Sequence, residues 1–251
     1  MIGIYKLAIC YLVLIIGCSS SLASETEEDN WTFNLAPFYL WGINVDGDLS
    51  AGPVTAPVEV SFDEVFDSLE AAFIVHFETL YKNQWGFLVD VNYMDLESKM
   101  SLPNGISSNV GLNLTLAEFS GYYRMQRDSH TFDFIAGLRY IDMENKVSLA
   151  VGPTLINENQ DWTDPLVGAR WMWGFADGWS LIARGDIGGF GVGSDFSWQA
   201  LGLVEWQPWK YASFIAGYRA LDVDYEDGKG REYFSFDATV HGPVIGLNFK
   251  W

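Results

Sequence analysis

Alternation of large apolar with polar or small side chains recurs through most of the chain and constrains its fold more than any other feature. From Trp31 to Val45 the odd positions carry Trp31, Phe33, Leu35, Tyr39, Trp41 and Ile43, with Thr32, Asn34, Gly42 and Asn44 between them. The pattern returns at Trp85, Phe87, Val89, Val91 and Tyr93, at Val167, Ala169, Trp171, Trp173 and Phe175, and at Phe196, Trp198, Ala200, Val204 and Trp206. A period of two places alternate side chains on opposite faces of a strand. Ten such segments are predicted, near 31–45, 70–82, 85–97, 110–126, 130–146, 162–176, 179–190, 195–207, 211–225 and 233–251.

The gaps between segments alternate in length. Short ones fall at Lys82–Gln84, Gln126–Ser129, Asp177-Gly178 and Pro208–Lys210; longer ones fall around 46–69, 98–109, 147–161, 191–194 and 226–232. Short turns at one end and longer loops at the other are the plan of outer-membrane barrels, in which closure is required because unpaired backbone groups cannot face hydrocarbon. Aromatic residues gather near strand ends, among them Trp85, Trp171, Trp173, Trp179, Trp206, Trp209 and Trp251, as suits a membrane–water interface. The expected fold is all-β: a closed antiparallel transmembrane β-barrel of about ten strands over 31–251, with eight or twelve as alternatives. A soluble β-sandwich or lipocalin-like barrel would alternate as well, but with charges outside.

The first 23 residues read as an export signal: Lys6, then the apolar run Leu7–Ile16, then Ser21-Leu22-Ala23 as a cleavage region, with 24–30 as a short linker. Ile15-Ile16-Gly17-Cys18 offers the alternative of a lipobox with lipidation at Cys18. Cys10 and Cys18 are the chain's 2 cysteines, so no disulfide framework or Cys-based zinc site is expected downstream. With 14 Lys+Arg against 33 Asp+Glu the formal charge is -19, which excludes general nucleic-acid binding.

If apolar faces meet lipid, the other faces meet in a lumen. Parity assigns to it His76, Glu78, Asp90, Arg139, Asp142, Asp164, Arg170, Arg184, Asp186, Glu205, Arg219 and Asp222, with Glu70, Arg124, Asp133, Glu144 and Asp224 beside them. Keeping all these acids inside requires bulges near Tyr140-Ile141 and Ala220-Leu221. Ten strands enclose a narrow space, so these groups are expected to meet as ion pairs, either filling the barrel or lining a conduit. Phe134–Glu144 recurs as Phe214–Asp224: a Gly, then an Arg two residues on, then acids. The run Gly185-Asp186-Ile187-Gly188-Gly189-Phe190-Gly191-Val192-Gly193-Ser194-Asp195-Phe196-Ser197-Trp198-Gln199, with Gly217-Tyr218-Arg219 and Val60–Phe66, resembles the small outer-membrane β-barrel proteins of Gram-negative bacteria. The resemblance covers about 31–251 and implies fold and location, without an activity or catalytic residues. The last strand, ending in Trp251, resembles the C-terminal signal of such barrels. It implies the barrel-assembly machinery as a partner, beside outer-membrane lipids and lipopolysaccharide.

Phe62, Val65, Phe66 and Leu69 stand at helical spacing, a candidate amphipathic helix at the barrel mouth. Asp222–Gly228 hints at a calcium loop but lacks its spacing, and no metal or cofactor is expected. The expected function is non-enzymatic, a narrow porin-like channel or a structural surface protein. A barrel-embedded hydrolase (lipid A deacylase, phospholipase or omptin-like protease) instead predicts His76 or His241 near the outer rim, hydrogen-bonded to a carboxylate. A soluble periplasmic binding barrel is the third reading.

Overall fold

The computed structural model describes residues 30–52, 54–101, 107–149, 154–230 and 233–251. The signal segment with Cys18, and most of the linker, lie outside them. The described chain forms β1 (Trp31–Trp41), β2 (Asn44–Ala51), β3 (Val54–Val60), helix α1 (Phe62–Ser68), β4 (Leu69–Tyr81), β5 (Trp85–Ser101), β6 (Ser107–Arg127), β7 (His130–Leu149), β8 (Thr154–Ala176), β9 (Trp179–Gly188), β10 (Phe196–Trp209), β11 (Ala212–Asp227) and β12 (Phe234–Lys250). Ten strands, β1 and β4 to β12, pair antiparallel in order, and β12 closes the barrel on β1. β2 continues along β12 where β1 leaves it, and β3 returns along β2. The region expected as a loop at 46–69 is therefore a hairpin followed by α1. Leu69 opens β4 instead of ending the helix, and the side chains of Val65 and Phe66 lie outside the described ones.

Local chemistry explains the joints. The short end turns through Lys82, Asn83, Asp128 and Gly178, all at positive φ, the handedness that tight hairpins need. α1 begins with the Glu half of a capping box: Ser61 donates from both its backbone N and its Oγ to Glu64 Oε2, each at 2.9 Å. Those bonds hold the exposed Glu64 carboxyl below its ordinary range. Where β12 passes from β2 to β1, Gly242 lies so close to the Gly42 carbonyl that a Cβ would overlap it. Two glycines at the crossing permit that approach.

Register explains the two faces. In β1 a bulge between Leu35 and Phe38 breaks the alternation, so Trp31 faces out while Tyr39 and Trp41 are buried inside. The bulges expected near Tyr140-Ile141 and Ala220-Leu221 do not form; pairing through β7 and β11 is continuous there. Consequently Asp142 and Glu144, and Asp222 and Asp224, lie on the outer face, opposite buried Ile141, Met143, Leu221 and Val223. This corrects their assignment to the lumen. That assignment needs acids to point inward at every height.

The exterior shows why the premise fails. Around the barrel's short-turn end and middle, the outward residues are apolar and exposed, including Phe87, Phe119, Phe134, Leu138, Val167, Ile187 and Ile245. Below them runs a ladder of stacked rings, Trp171 on Trp173, Trp179 on Trp206 and Trp206 on Phe214, at centroid distances of 6.1, 5.7 and 5.7 Å. Such a band with an aromatic girdle is a lipid-facing surface. A soluble barrel would bury it, so the chain is an integral outer-membrane barrel. Toward the long-loop end the outward face becomes Asp46, Asp48, Asp95, Asp142, Asp161, Asp222, Asp224 and Asp237, while the inside turns apolar. There the strands have left the membrane.

Candidate functional site: a charged lumen beneath an apolar seal

Inside the membrane-spanning part, side chains from facing strands meet across the barrel. Arg170 on β8 pairs with Glu78 on β4, one contact being Nη2 to Oε2 at 3.0 Å, and donates to Asp133 on β7 at 2.7 and 2.9 Å. Arg124 on β6 also holds Asp133, through Nε at 2.7 Å and Nη2 at 2.9 Å. Arg219 on β11 reaches Asp90 on β5 at 3.1 Å, donates to Gln199 at 2.9 Å, and lies 4.5 Å over the ring of Trp41. Arg184 on β9 joins Glu118 on β6 at 2.5 Å and Asp186 at 3.0 Å. Arg139 on β7 donates to Asp186 at 2.5 Å. His76 sits between Glu78 and Asp90, its ring nitrogens 2.9 and 3.0 Å from their oxygens.

Five guanidiniums thus meet five carboxylates, with His76 bridging two of the acids. Asp164 is satisfied separately, accepting from Ser194 N and Oγ and from Ser197 Oγ at 2.7, 2.6 and 3.1 Å. Arg139, Asp133 and Asp164 are all 0% exposed. Burial of so many charges is tolerable only when each has a partner. Glu205 accepts from Ser213 Oγ at 2.6 Å, nearer the short-turn end. The lumen therefore gathers His76, Glu78, Asp90, Arg139, Asp164, Arg170, Arg184, Asp186, Glu205 and Arg219 from the sequence reading. Glu70's side chain lies outside the described ones.

Sequence reasoning missed Glu118 and Ser194 as lumen groups, and it placed Tyr39 and Trp41 on the lipid face. Glu118 stands among apolar residues, but it shares its parity with Arg124 on the same strand. The glycine-rich run also proves to be a source of lumen chemistry. Its Asp186, Ser194, Ser197 and Gln199 all bond inside the barrel, while Gly189 and Gly191 take the positive φ of the turn. In the repeated segments, Gly137 and Gly217 leave no room for a Cβ against the neighbouring strands β6 and β10. Two residues on, Arg139 and Arg219 are both buried in the lumen.

The space around this network is open at one end. A cavity of about 160 Å³, lined by Tyr39, His76, Arg219, Asn248 and Lys250 among others, adjoins one of about 350 Å³ at the short-turn end; Asn34, Arg124, Glu205 and Lys250 line both. Toward the outside lies a pocket of about 30 Å³, lined by Trp41, Met94, Leu116, Ile141, Leu221 and Val240, with Asn92 beside them. Trp162 and Tyr225 stack within this layer at 3.9 Å and 9°. The lumen is a cup, wet below and sealed above by apolar side chains.

No protein-family model matches the chain, and neither does any curated protein. Among solved structures it is similar to the outer membrane protease OmpT from Escherichia coli, at 8% identity and TM-score 0.56, covering 93% of this chain and 100% of that one. It is also similar to the translocator domain of the autotransporter NalP from Neisseria meningitidis, at 11% identity and TM-score 0.50, covering 98% and 97%. These likenesses are of fold.

Proposed function

We propose that this outer-membrane barrel is a structural surface protein whose lumen is closed toward the outside, and that its interior is non-enzymatic. The observation that carries this reading is the apolar seal. The stacked Trp162 and Tyr225 stand beside a pocket of about 30 Å³, roughly one or two waters' worth of space. An ion crossing it would shed its hydration for little more than the Asn92 side-chain carbonyl. The ion pairs beneath bind facing strands together and hold each of the five guanidiniums against a carboxylate. The shared fold does not choose among activities, since one similar structure is a protease and the other a translocator domain. Engagement of β12 by the barrel-assembly machinery fits its closing role, in which Trp251 exchanges backbone hydrogen bonds with Phe33 on β1. A second reading, a channel gated at the seal, draws on the cup below it.

Planar-bilayer recording of refolded protein decides between them. The wild type is expected to be silent, and Trp162→Ala with Tyr225→Ala is expected to open stepwise conductance. Steady wild-type conductance would overturn the sealed reading.

A further inference from the structure

One cluster of chemistry lies outside the lumen. His241 on β12 faces outward, between inward Val240 and Gly242. The Tyr218 hydroxyl on β11 stands 2.5 Å from its Nδ1, and Asp46 Oδ2 on β2 stands 2.6 Å from its Nε2. A carboxylate only accepts, so Nε2 carries the proton and Nδ1 is left to accept from the phenol. Hydroxyl to imidazole to carboxylate is the polarity of an activated nucleophile, its base and the group that orients the base. Asn44 anchors the junction: its Nδ2 donates to the His241 carbonyl at 3.2 Å, and its Oδ1 accepts from Phe62 N at 2.9 Å.

Height gives the cluster its substrate. Just below His241 on the same face are Pro243 and Ile245, exposed and lipid-facing; just above are Thr239 and Asp237. This is the boundary where acyl chains join polar head groups. Tyr93 and Tyr140 also direct their hydroxyls to polar groups of the outer extension, but their acceptors are Asp95, Asn113 and Asp142. Tyr218 meets an imidazole backed by a carboxylate, and half of its surface is open at 50%.

We propose that Tyr218, His241 and Asp46 form an ester-cleaving site for acyl esters of outer-leaflet lipids. The Tyr218 proton passes to His241 Nδ1 as the phenolic oxygen bonds to the ester carbonyl carbon. The carbon–oxygen bond to the lipid alcohol then breaks, and that alcohol leaves with the proton from Nδ1. Water, deprotonated by His241, cleaves the acyl-tyrosine, releasing a fatty acid and restoring the phenol. Asp46 is a positioning residue. The site acts independently of whether the lumen conducts.

The test is free fatty acid release, read by mass spectrometry, from phosphatidylethanolamine liposomes holding refolded protein, with and without added lipopolysaccharide. Heat-modifiable migration verifies that each variant is folded. Wild type is expected to release fatty acid. His241→Ala and Tyr218→Phe should lose it about 100-fold or more, Asp46→Asn should shift its pH profile, and Tyr140→Phe should match wild type. Which acyl lengths appear tells whether phospholipid or lipopolysaccharide is the source. No release from either lipid, or release that survives His241→Ala in a folded barrel, would overturn the proposal.

Discussion

The membrane-spanning barrel and its outer extension are made of the same strands, yet each is the other turned inside out. At the height of Phe134 and Leu138, β7 turns apolar residues outward and the charged Asp133 and Arg139 inward; a few residues on, Asp142 and Glu144 face out and Ile141 and Met143 face in. β11 repeats this, with Phe214 and Tyr218 outside and Arg219 inside, then Asp222 outside and Leu221 inside. No register slip accompanies the change. What changes is the solvent. In lipid the strand must show hydrocarbon outward and can keep polar groups only in the lumen. In water the ordinary rule returns, and apolar side chains go inside.

The largest expected effect lies where the inner face is charged. Arg170→Ala strips the buried Glu78 and Asp133 of a shared partner. Breaking a buried pair in this way costs about 3–5 kcal/mol. The denaturant midpoint for loss of heat-modifiable migration should fall accordingly. A midpoint within error of wild type would mean the lumen is wetter than its burial indicates.

The outer face tests the height of the boundary. Phe134→Arg places a charge in the lipid-facing band and should cost about 2–4 kcal/mol if Phe134 lies near the midplane. Asp142→Arg, eight residues along on the same face of the same strand, should cost about 0–1 kcal/mol, the value for a position at the interface or beyond. Equal costs in the same vesicle-refolding titration would erase the distinction between the two regions.

The inversion also explains what could be read from sequence. Alternation alone locates ten barrel strands, because a two-residue period survives whichever face is apolar. Lumen membership needs one further fact, namely which face meets lipid at that height. Where lipid is outside, the parity argument places Arg139, Arg170, Arg184 and Arg219 inside. Where water is outside, the same argument misplaces Asp142 and Asp222. Bulges are the other blind spot. The shift between Leu35 and Phe38 sends Tyr39 and Trp41 inward, and although Pro37 marks a place where ladder pairing fails, nothing local says that the face changes there. The cross-barrel partners, such as Arg219 with Asp90, depend on curvature and closure and are invisible in a linear reading.

The smallest effect concerns the cost of acidity in the extension. Asp224 is opposite Asp237 in the ladder, and Asp237 is in turn opposite Asp48, so three carboxylates lie in a row across adjacent strands. Like charges directly opposite destabilise a sheet. Partial burial raises the Asp224 carboxyl above its ordinary range, and Asp237, Asp195, Glu226 and Asp222 push it further the same way. A carboxyl whose folded value is raised contributes stability fully below its unfolded value, about 3.9. That contribution is lost as pH rises through the folded value. At pH 7 Asp224 is therefore a local liability. Asp224→Asn should slow amide exchange at the outer end of β11 at pH 7, and the gain should fade as pH falls through the raised folded value and be gone below about 4, where the wild-type carboxyl is also neutral. A gain of equal size at both pH values would assign it to side-chain hydrogen bonding and remove charge crowding from the account of the extension.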